Sequence, residues 1–528
     1  MPKDAPERRE LSLDLGLDDA DDPEALKRLV AKRLRRDPSD LPEVTLLRRS
    51  IDARRGSVRF HLLIGLGGEV QGALAVPDPV SVGAPRVVIV GDGPTGLFCA
   101  YELARAGIGS IVLDRGKTVQ PRRHDLKGLH KSGAIDPDSN YCFGEGGAGT
   151  YSDGKLYTRA HKRGNVRDVL EILAHHGAPQ SILVEARPHI GSNLLPKVIT
   201  AMRERLVAAG VEFRFGARVV ELLVDGGGKA RRAAGVRLAD GSEIGADAVV
   251  MATGHSARDV FELLLRAGLT LEPKPFALGV RIEHPQPFVN RAQYGGAAGH
   301  PRLPNAAYRL ACDVRGRGVF SFCMCPGGWI VPASTEPEGL VVNGMSLRRR
   351  DSPFANSGLV VAVEPADYQQ AGYLGPLGGV EFQRAIERAA FRAGGPTLAA
   401  PAVRASDFLR ATGAVSSSLP ETSYIPGLTS AALDSVLDAG GVPIAARLRE
   451  ALRVFERQVR GYASEDAVLV GVESRTSAPV RVPRDPESLE AIGVQRLYPA
   501  GEGAGYAGGI VSAALDGMRV ARALIASG

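Results

Sequence analysis

Hydrophobic and polar residues follow different patterns in successive parts of the chain, and the first part predicts a small module. Three runs share the apolar–polar alternation of a half-buried strand: residues 11–15, 43–51 and 57–64. Residues 22–35 instead carry apolar side chains at helical spacing, and residues 54–56 have the composition of a hairpin turn. The order strand, helix, strand, strand predicts an α+β module of ferredoxin-like type.

A different pattern begins at residues 86–90, where a continuous β-branched apolar run predicts a buried strand. A helical pattern over residues 97–106 follows. Between them, Gly91, Gly93 and Gly96 have the spacing GxGxxG. In this context the first glycine permits a tight turn, the second lets the backbone approach a pyrophosphate, and the third lets the helix pack on the strand. The segment predicts a dinucleotide-binding turn.

An acidic residue stands where such a site needs one. Residues 110–113 form a second apolar run that leads to Asp114, 18 residues beyond Gly96. A carboxylate at this place can accept hydrogen bonds from both ribose hydroxyls of an adenosine. We therefore expect an α/β chain with a Rossmann-like domain.

The remainder of the chain divides into a return to this domain and a segment of different character. Residues 248–252 predict another buried strand, which ends in the small residues Thr253 and Gly254. Residues 495–499 and 511–526 predict a last strand and a closing helix. The intervening segment is rich in Pro and Gly with short strand-like runs, which favours an inserted α+β substrate domain. The predicted boundaries are 1–84 for the N-terminal module, 85–270 and 471–528 for the nucleotide-binding domain, and 271–470 for the insert.

Composition narrows the functional classes. The 528 residues are 44% hydrophobic and 23% charged, as in an ordinary globular protein, and no apolar run reaches 18 residues. The N-terminus lacks the apolar core of a signal peptide, so we expect a cytoplasmic protein without a membrane partner. The net charge of +6 comes from scattered arginines without a basic, aromatic-interleaved stripe, which argues against nucleic acid. Five irregularly spaced cysteines fit a reducing compartment, and no metal site is predicted.

Three motifs, in this order, carry a family resemblance. They are a glycine-rich loop at residues 144–155, a Cys-x-Cys-Pro-Gly-Gly motif at residues 323–328, and a second glycine-rich segment at residues 501–517. From about residue 40 onwards the chain resembles a family of FAD-dependent dehydrogenases from bacteria and plastids, and its layout is similar to that of the glutathione-reductase superfamily. The resemblance implies FAD and a redox role, but no particular substrate.

The resemblance also implies which residues contact the cofactor. It assigns the loop 144–155 to the flavin and brings the start of the closing helix to the flavin ring. Glu502 stands where superfamily members usually have an Asp that holds a ribityl hydroxyl. The expected FAD contacts are Gly91, Gly93, Gly96, Asp114, Arg115, Gly147, Gly149, Thr150, Ser152, Val219, Thr253, Gly254, Gly501, Glu502, Gly509 and Ile510.

Candidate acid–base residues lie beside these loops. We expect catalysis from His255, Glu145 or Lys155, with Asp153 and His189 as further candidates. His255 could shuttle protons at neutral pH, but it could equally pack against the cofactor or fix a loop. For His189 a loop-fixing role is the favoured interpretation.

The cysteines offer a second chemistry. Cys323 and Cys325 lie two residues apart on a predicted strand, and a regular strand places both side chains on one face. At that spacing the thiols are too far apart for an unstrained disulfide, so a packing role is favoured over a redox dithiol. Cys142 is expected to be an inert thiol.

The leading functional hypothesis is an oxidoreductase that transfers hydride between FAD and a small organic substrate. No second GxGxxG follows a strand, so NADH or NADPH could act only as a transient donor over the flavin, or a partner protein could supply electrons. Two alternatives stay open: a flavin-dependent monooxygenase, and a partner-binding protein in which FAD is structural.

Overall fold

The computed structural model describes residues 9–54, 57–67, 76–158, 163–411 and 418–527. Arg55 and Gly56 of the predicted hairpin turn lie outside the described residues. The α-helices are α1 (Pro23–Leu34), α2 (Pro94–Arg105), α3 (Val119–Ser132), α4 (Val166–His175), α5 (Leu195–Ala208), α6 (Arg258–Arg266), α7 (Gln286–Tyr294), α8 (Pro365–Gln370), α9 (Gly378–Ala393), α10 (Ala405–Arg410), α11 (Leu433–Leu437), α12 (Ile444–Gln458) and α13 (Ile510–Ala526).

The strands are β1 (Arg9–Leu15), β2 (Val44–Asp52), β3 (Arg59–Leu66), β4 (Val87–Val90), β5 (Ser110–Asp114), β6 (Glu212–Phe215), β7 (Val219–Asp225), β8 (Arg232–Leu238), β9 (Glu243–Gly245), β10 (Ala248–Met251), β11 (Glu272–Pro273), β12 (Phe276–Pro285), β13 (Ala311–Val314), β14 (Arg317–Cys325), β15 (Gly328–Pro332), β16 (Val342–Ser346), β17 (Phe354–Val363), β18 (Ala400–Arg404), β19 (Leu428–Ser430), β20 (Val468–Glu473), β21 (Val480–Arg481) and β22 (Leu497–Pro499).

The N-terminal strands form an antiparallel sheet in the order β1-β3-β2, with α1 packed on one face. Asp22 caps α1 by accepting a hydrogen bond from the Ala25 backbone N–H. Alternate residues of β3, including Phe60, Leu62 and Ile64, point into a small core with Val30 of α1. This core ends at Leu66, whereas residues 76–83 run along the next part of the fold, where Val80 and Val82 bond to the ends of α2 and α5.

The nucleotide-binding half is built on a five-stranded parallel sheet in the order β22-β10-β4-β5-β6. Numbered by their own sequence, these strands have the order 5-4-1-2-3 of a doubly wound dinucleotide fold. The four residues of β4 are all buried, which explains the continuous apolar run in the sequence. Helices α2 and α13 cross closely on one face, where a Cβ on Gly517 would lie 2.0 Å from the carbonyl oxygen of Thr95.

The segment between β11 and β21 forms a seven-stranded mixed sheet in the order β13-β14-β17-β12-β20-β18-β19. It has a hydrophobic core of its own, which α9 and α12 help to close. The central strand β12 pairs with both β17 and β20, so each of its residues up to His284 is buried. The last strand, β20, extends to Glu473.

The chain passes between the two large sheets twice, through β11 and β21, and these short strands pair antiparallel with each other. A buried ion-pair cluster bridges the same two units. Both oxygens of Glu387 on α9 accept hydrogen bonds from Arg258 of α6, and Arg475 donates to the same carboxylate. Across the described ranges, no helix combines the length and the apolar character that a bilayer span requires.

Candidate functional site

Three loop segments meet at the carboxyl edge of the parallel sheet: residues 91–96, residues 252–254 and residues 501–509. β4, β10 and β22 are neighbours, and each runs directly into one of these segments. Backbone hydrogen bonds join the strand exits, from Ala252 N to Val90 O at 2.8 Å and from Ala500 N to Met251 O at 3.0 Å. Ligands of open α/β sheets bind at this edge, beside the point where the strand order reverses.

Some glycines allow these loops to approach one another. Gly91 has a φ of +107°, and a Cβ there would lie 2.4 Å from the Ala252 carbonyl oxygen. A Cβ on Gly96 would lie 1.9 Å from the Gly91 carbonyl oxygen. A Cβ on Gly501 would lie 2.2 Å from Thr95 Oγ1. Side chains at these positions are excluded by the protein itself, independently of any ligand.

Other glycines of the same loops face open space. A Cβ on Gly93 would meet no atom closer than Gly147 Cα at 4.0 Å, and Cβ atoms on Gly254, Gly508 and Gly509 would meet nothing within 4 Å. Gly93 and Gly509 are also the N-cap residues of α2 and α13, and neither provides a side-chain cap. Pro94, the first residue of α2, has no N–H group. The N–H groups of Thr95 and Gly96 in α2, and of Ile510 and Val511 in α13, have no partner within their helix and can bind anionic or polar groups of a ligand. The residues present fit a dinucleotide cofactor.

Asp114 ties the adenosine end of the site together. One of its oxygens accepts hydrogen bonds from the N–H groups of Gly116 at 2.8 Å and Gly144 at 2.9 Å, and the other accepts from Asp92 N at 3.0 Å. These contacts orient the buried carboxylate at the end of β5, as a ribose-binding acid requires.

Two other predicted contacts at this end have structural partners. Arg115 donates to Asp138, pairs through both terminal nitrogens with Asp259, and lies 4.7 Å from the ring centroid of Phe143. Val219, at the start of β7, is buried in the same hydrophobic cluster as Phe143. They build one wall at this end of the sheet.

The loop 144–155 runs along the whole edge. It starts beside Asp114, and a Cβ on Gly147 would lie 2.9 Å from Gly93 Cα. A Cβ on Gly149 would lie 3.3 Å from the Ile510 side chain, and the loop ends at Lys155 beside the cysteines of β14. The loop therefore contacts in turn the end of β5, the start of α2, the start of α13 and β14.

The hydroxyl groups of Thr150 and Ser152 donate within this loop, in contrast to the expectation that they contact the flavin. Thr150 Oγ1 donates to the Glu145 carbonyl oxygen, and Ser152 Oγ donates to that of Gly149, each at 2.7 Å. They fix the turn, and their oxygens remain available as acceptors.

Glu145 is held by the protein rather than presented to a substrate. Its side chain is 1% exposed, one oxygen accepts from Val119 N, and the other pairs with Arg203, both at 2.7 Å. The carboxylate joins α3, α5 and the loop 144–155. The structure thus gives it a positioning role.

His255 is neutral at physiological pH. Burial lowers its pKa to about 4, and the positive charges of Arg475 and Arg258 act in the same direction. Its Nδ1 lies 2.8 Å from the Ser256 hydroxyl oxygen. The imidazole can hydrogen-bond beside Gly254, and a pKa of about 4 makes it a weak proton acceptor at neutral pH.

His189 fixes the end of the cofactor loop. Its Nε2 lies 3.2 Å from the Arg348 carbonyl oxygen, and its neighbours Pro188 and Ile190 bond to Leu156 and Gly154 through the backbone. Burial lowers its pKa to about 4. These contacts agree with the favoured loop-fixing interpretation.

Lys155 belongs to a charged cluster. Its Nζ lies 3.3 Å from Asp153, whose carboxylate also pairs with Arg350 at 2.7 Å and accepts from Ser346 Oγ. Burial lowers the pKa of Lys155, but the charges of Asp153, Cys323 and Cys325 together outweigh burial, so the pKa is raised and the ammonium persists. The Lys155 side chain is 33% exposed and can reach a substrate.

Glu502 lies between the C-terminal glycine segment and the seven-stranded sheet. Burial raises its pKa to about 7; the nearby charge of Lys274 opposes this shift, and a charged Cys323 adds to it. The longer side chain at this place therefore provides a carboxyl group that titrates at neutral pH.

Two features escaped the sequence reasoning. Asp92, treated there only as a spacer of GxGxxG, is fully buried, and its Oδ1 has no hydrogen-bond partner among the described residues. Burial raises its pKa well above the usual value, and the charges of Asp114 and Glu145 add to this shift. The sequence did contain a signal for this buried group, because Asp92 is an acidic residue between Gly91 and Gly93 of the predicted phosphate-binding turn.

The second feature concerns the strand that carries the cysteines. β14 is not regular, because its pairing with β17 shifts between Phe322 and Cys325, and Cys323 has a φ of +45°. The Cys325 thiol donates to the Cys323 carbonyl oxygen at 3.4 Å, and Lys155 Nζ lies 3.6 Å and 3.5 Å from the sulfur atoms of Cys323 and Cys325. The spacing argument against a dithiol assumed a regular strand, and that assumption does not hold here.

Sequence comparisons agree with this geometry. The family described as FAD-dependent protein, C-terminal domain-like, matches residues 275–476, and the pyridine nucleotide-disulphide oxidoreductase family matches residues 164–275. A domain of unknown function matches residues 7–65. The chain is thus an FAD-dependent flavoprotein of the oxidoreductase class.

A relative gives the family directly. An uncharacterized protein of Clostridium beijerinckii is 40% identical over 537 residues, which span 97% of this chain and 98% of that protein. The chain belongs to the same family as this clostridial protein.

Solved structures give only distant likenesses. CtdE in complex with FAD is 12% identical, with 84% of this chain and 86% of that chain covered and a TM-score of 0.33. FqzB is 15% identical, with 86% and 78% covered and a TM-score of 0.37.

Proposed function

We propose that the protein is an FAD-dependent oxidoreductase that transfers hydride between bound FAD and a small organic substrate. One observation supports this most: glycines with open space in front of them line a continuous edge from Asp114 to Ile510. FAD, when bound, supplies the hydride chemistry itself. The protein has to bind the cofactor, orient a substrate and move a proton.

The chain offers a group for each part of the cofactor. Asp114 would hold the adenosine ribose, and the free N–H groups at the start of α2, beside Gly93, would bind the pyrophosphate. Gly149 and Ile510 would lie against the middle of the dinucleotide, and the start of α13 would place its positive end at the ring.

Proton transfer is assigned to Glu502. Its carboxyl group has a pKa of about 7, so it exchanges a proton at physiological pH, whereas His255 stays neutral. Lys155 stays charged and is suited to orient an anionic or carbonyl group of the substrate. Glu145 supports the loop that carries Lys155.

The electron source is a second part of the proposal. NADH or NADPH, binding transiently over the flavin, would reduce it directly, and a partner protein would do so otherwise. A small-molecule substrate is expected in both cases.

The test is the visible spectrum of the purified protein under anaerobic conditions, with NADH and NADPH added separately. Flavin bands that bleach with one nucleotide identify a reductase and its donor. Bands that persist with both, but bleach with an organic substrate, identify a dehydrogenase. Absence of flavin from folded protein overturns the assignment.

Two further outcomes address the alternatives. Incorporation of labelled oxygen from O₂ into a product during turnover supports the monooxygenase. Flavin that exchanges electrons with no reductant, chemical dithionite included, supports structural FAD.

A further inference from the structure

The cysteine pair of β14, Cys323 and Cys325, has no role in the proposed cofactor site or in the proposed proton transfer. Both sulfur atoms accept hydrogen bonds from one ammonium group, with Lys155 Nζ at 3.6 Å from Cys323 and 3.5 Å from Cys325. Lys155 lies in the loop 144–155, whereas the cysteines lie on β14, 168 and 170 positions further along the chain. The contact is therefore a product of the tertiary fold and not of a local motif.

The backbone around Cys323 is shaped to hold this contact. Its φ of +45° lies in the left-handed region, which a non-glycine residue rarely adopts. Arg281, which is fully buried, donates to the Cys323 carbonyl oxygen at 2.8 Å and fixes the bulge from behind. Such conformations persist where the surrounding structure imposes them, which is common at functional sites.

The charges around the pair favour a thiolate at Cys323. The hydrogen bond from Cys325 lowers the pKa of Cys323 most; burial opposes this, and the charges of Lys155 and Arg281 lower the pKa further. Asp153 acts in the opposite direction but is itself neutralised by Arg350.

The carboxylates of Glu473 and Glu502 complete the surroundings. Glu473 forms an ion pair with Arg281 at 3.0 Å, and burial raises its pKa to about 7. The pKa of Cys325 is raised by its hydrogen bond to Cys323 and by burial. Cys323 is therefore the more easily deprotonated cysteine of the pair.

Exposure gives the two cysteines different roles. Cys323 is half-buried, and the Lys155 side chain beside it is 33% exposed, so a reactant can reach this sulfur. Cys325 is fully buried and can react only with what is already attached to its neighbour. This is the arrangement of an attacking and a resolving cysteine.

We propose that Cys323 and Cys325 are a redox-active dithiol, with Lys155 as the cation that holds Cys323 ready to attack a disulfide. The substrate class is a small disulfide that is reduced to two thiols. The later return of electrons from FAD to this pair rests on the proposed function above, whereas the thiol exchange itself does not.

The exchange balances without another reactant. The Cys323 thiolate attacks one sulfur of the disulfide, the disulfide bond breaks, and the first thiolate leaves and takes a proton from water. The Cys325 sulfur, after loss of its proton to water, then attacks Cys323 Sγ and releases the second thiolate, which is also protonated. Two electrons pass from the protein dithiol to the substrate, and a Cys323–Cys325 disulfide forms.

The experiment uses flavin-loaded protein carrying Cys142→Ser and Cys312→Ser, reduced, desalted under nitrogen and mixed with the aromatic disulfide 5,5′-dithiobis(2-nitrobenzoate). We expect rapid release of two thiolates per chain and a protein mass lower by two hydrogens. With Cys325→Ser we expect release of one thiolate and a retained adduct on Cys323.

Lys155→Met should slow the first release about tenfold or more at pH 7 and move its half-maximal rate to higher pH, because the thiolate loses its cation. The control Lys197→Met, at an exposed position of α5, should leave the rate unchanged. A retained adduct in the chain with both cysteines overturns the proposal, as does an unchanged rate in Lys155→Met. Bleaching of the flavin by NADH or NADPH is measured in a separate experiment. The dithiol proposal and the proposed FAD-dependent function can therefore fail independently of each other.

Discussion

Single residues at the sheet edge differ in what occupies the space beside them. Gly91, Gly96 and Gly501 are needed because backbone or side-chain atoms of the protein lie where a Cβ would go. Gly93 and Gly509 have no such neighbour. A substitution in the first group disturbs folding. Gly509 has a φ of +122°, so a side chain there is strained as well, whereas one at Gly93 acts on the ligand.

Gly93→Val is therefore expected to fold and to lose FAD. The branched side chain would project into the space in front of the first turn of α2, where the pyrophosphate is expected. The measurement is the flavin-to-protein absorbance ratio after gel filtration, with far-UV circular dichroism as the folding check. Gly227→Val, at an exposed turn with nothing within 4 Å, is the control. Normal flavin content in Gly93→Val contradicts the assignment.

Glu502→Gln tests the titrating carboxyl group. The folded-state pKa of about 7 lies above the ordinary 4.5, so its stabilising contribution is complete below about pH 4.5 and is lost as pH rises through 7. Gln does not ionise, so the variant does not lose stability as pH rises. It should be more stable than the wild type at pH 8 by about 1–3 kcal/mol, with a smaller difference at pH 5.

Urea unfolding of protein with equal flavin content, at both pH values, measures this difference. The exposed Glu487→Gln should show none. An equal effect at pH 5 and pH 8 would mean that Glu502 does not titrate in this range.

Among the elements, those defined by local pattern were predicted closely. The helix expected over residues 97–106 is observed as Pro94–Arg105, and the closing helix expected over 511–526 is observed as Ile510–Ala526. Apolar periodicity and glycine spacing act within one element, so the sequence displays them directly.

The bulge in β14 was missed because it exists only in the register with β17. The ion-pair cluster was missed because Arg258 and Glu387 are 129 residues apart. Ion pairs between residues three or four apart on a helix can be recognised in the sequence. No local pattern identifies charged partners that meet only through tertiary packing.

Glu387→Gln tests that cluster. Its carboxylate is 1% exposed and faces two arginines that would be left buried with a neutral partner, so we expect a loss of about 3 kcal/mol in the free energy of unfolding. The arginine charges outweigh burial and hold the pKa of Glu387 below its usual range. This contribution is therefore present above about pH 4.5 and is lost as pH falls through the lowered folded-state value.

The matched control is Glu381→Gln on the same helix. Its side chain is 51% exposed and pairs with Arg384 three residues on, so the expected loss is under about 0.5 kcal/mol. Urea unfolding at pH 7 compares the two variants. Equal losses would remove the argument that burial makes the difference.

On the scale of the molecule, the N-terminal module lies against both large units. Arg49 exchanges backbone hydrogen bonds with Val184 and Ala186, at 2.7 Å and 2.8 Å. Arg302, from the segment before β13, pairs with Asp21 and lies 4.9 Å from the ring centroid of Phe60. The order of strands and helix in the N-terminal module could be predicted from the sequence. Its contacts with the two large units depend on individual side chains, which that order does not specify.

Deletion of residues 1–66 should leave FAD bound, because every cofactor loop lies later in the chain. Deletion through residue 83 should in addition lower Tm, since it removes the pairing of Asp78 with Arg205 and the bonds of Val80 and Val82. Flavin content and thermal unfolding of the two truncations measure this. A folded but flavin-free product of the shorter deletion would place part of the cofactor site in the module.

The pairing of β11 with β21 has a mechanical consequence. Both passages between the large sheets pair with each other, and the ion pairs of Glu387 hold the same two units together. Lys155 stands on one side of this connection and Cys323 on the other. A shift of one unit relative to the other would change the distance between the ammonium and the sulfur, and with it the stabilisation of the thiolate.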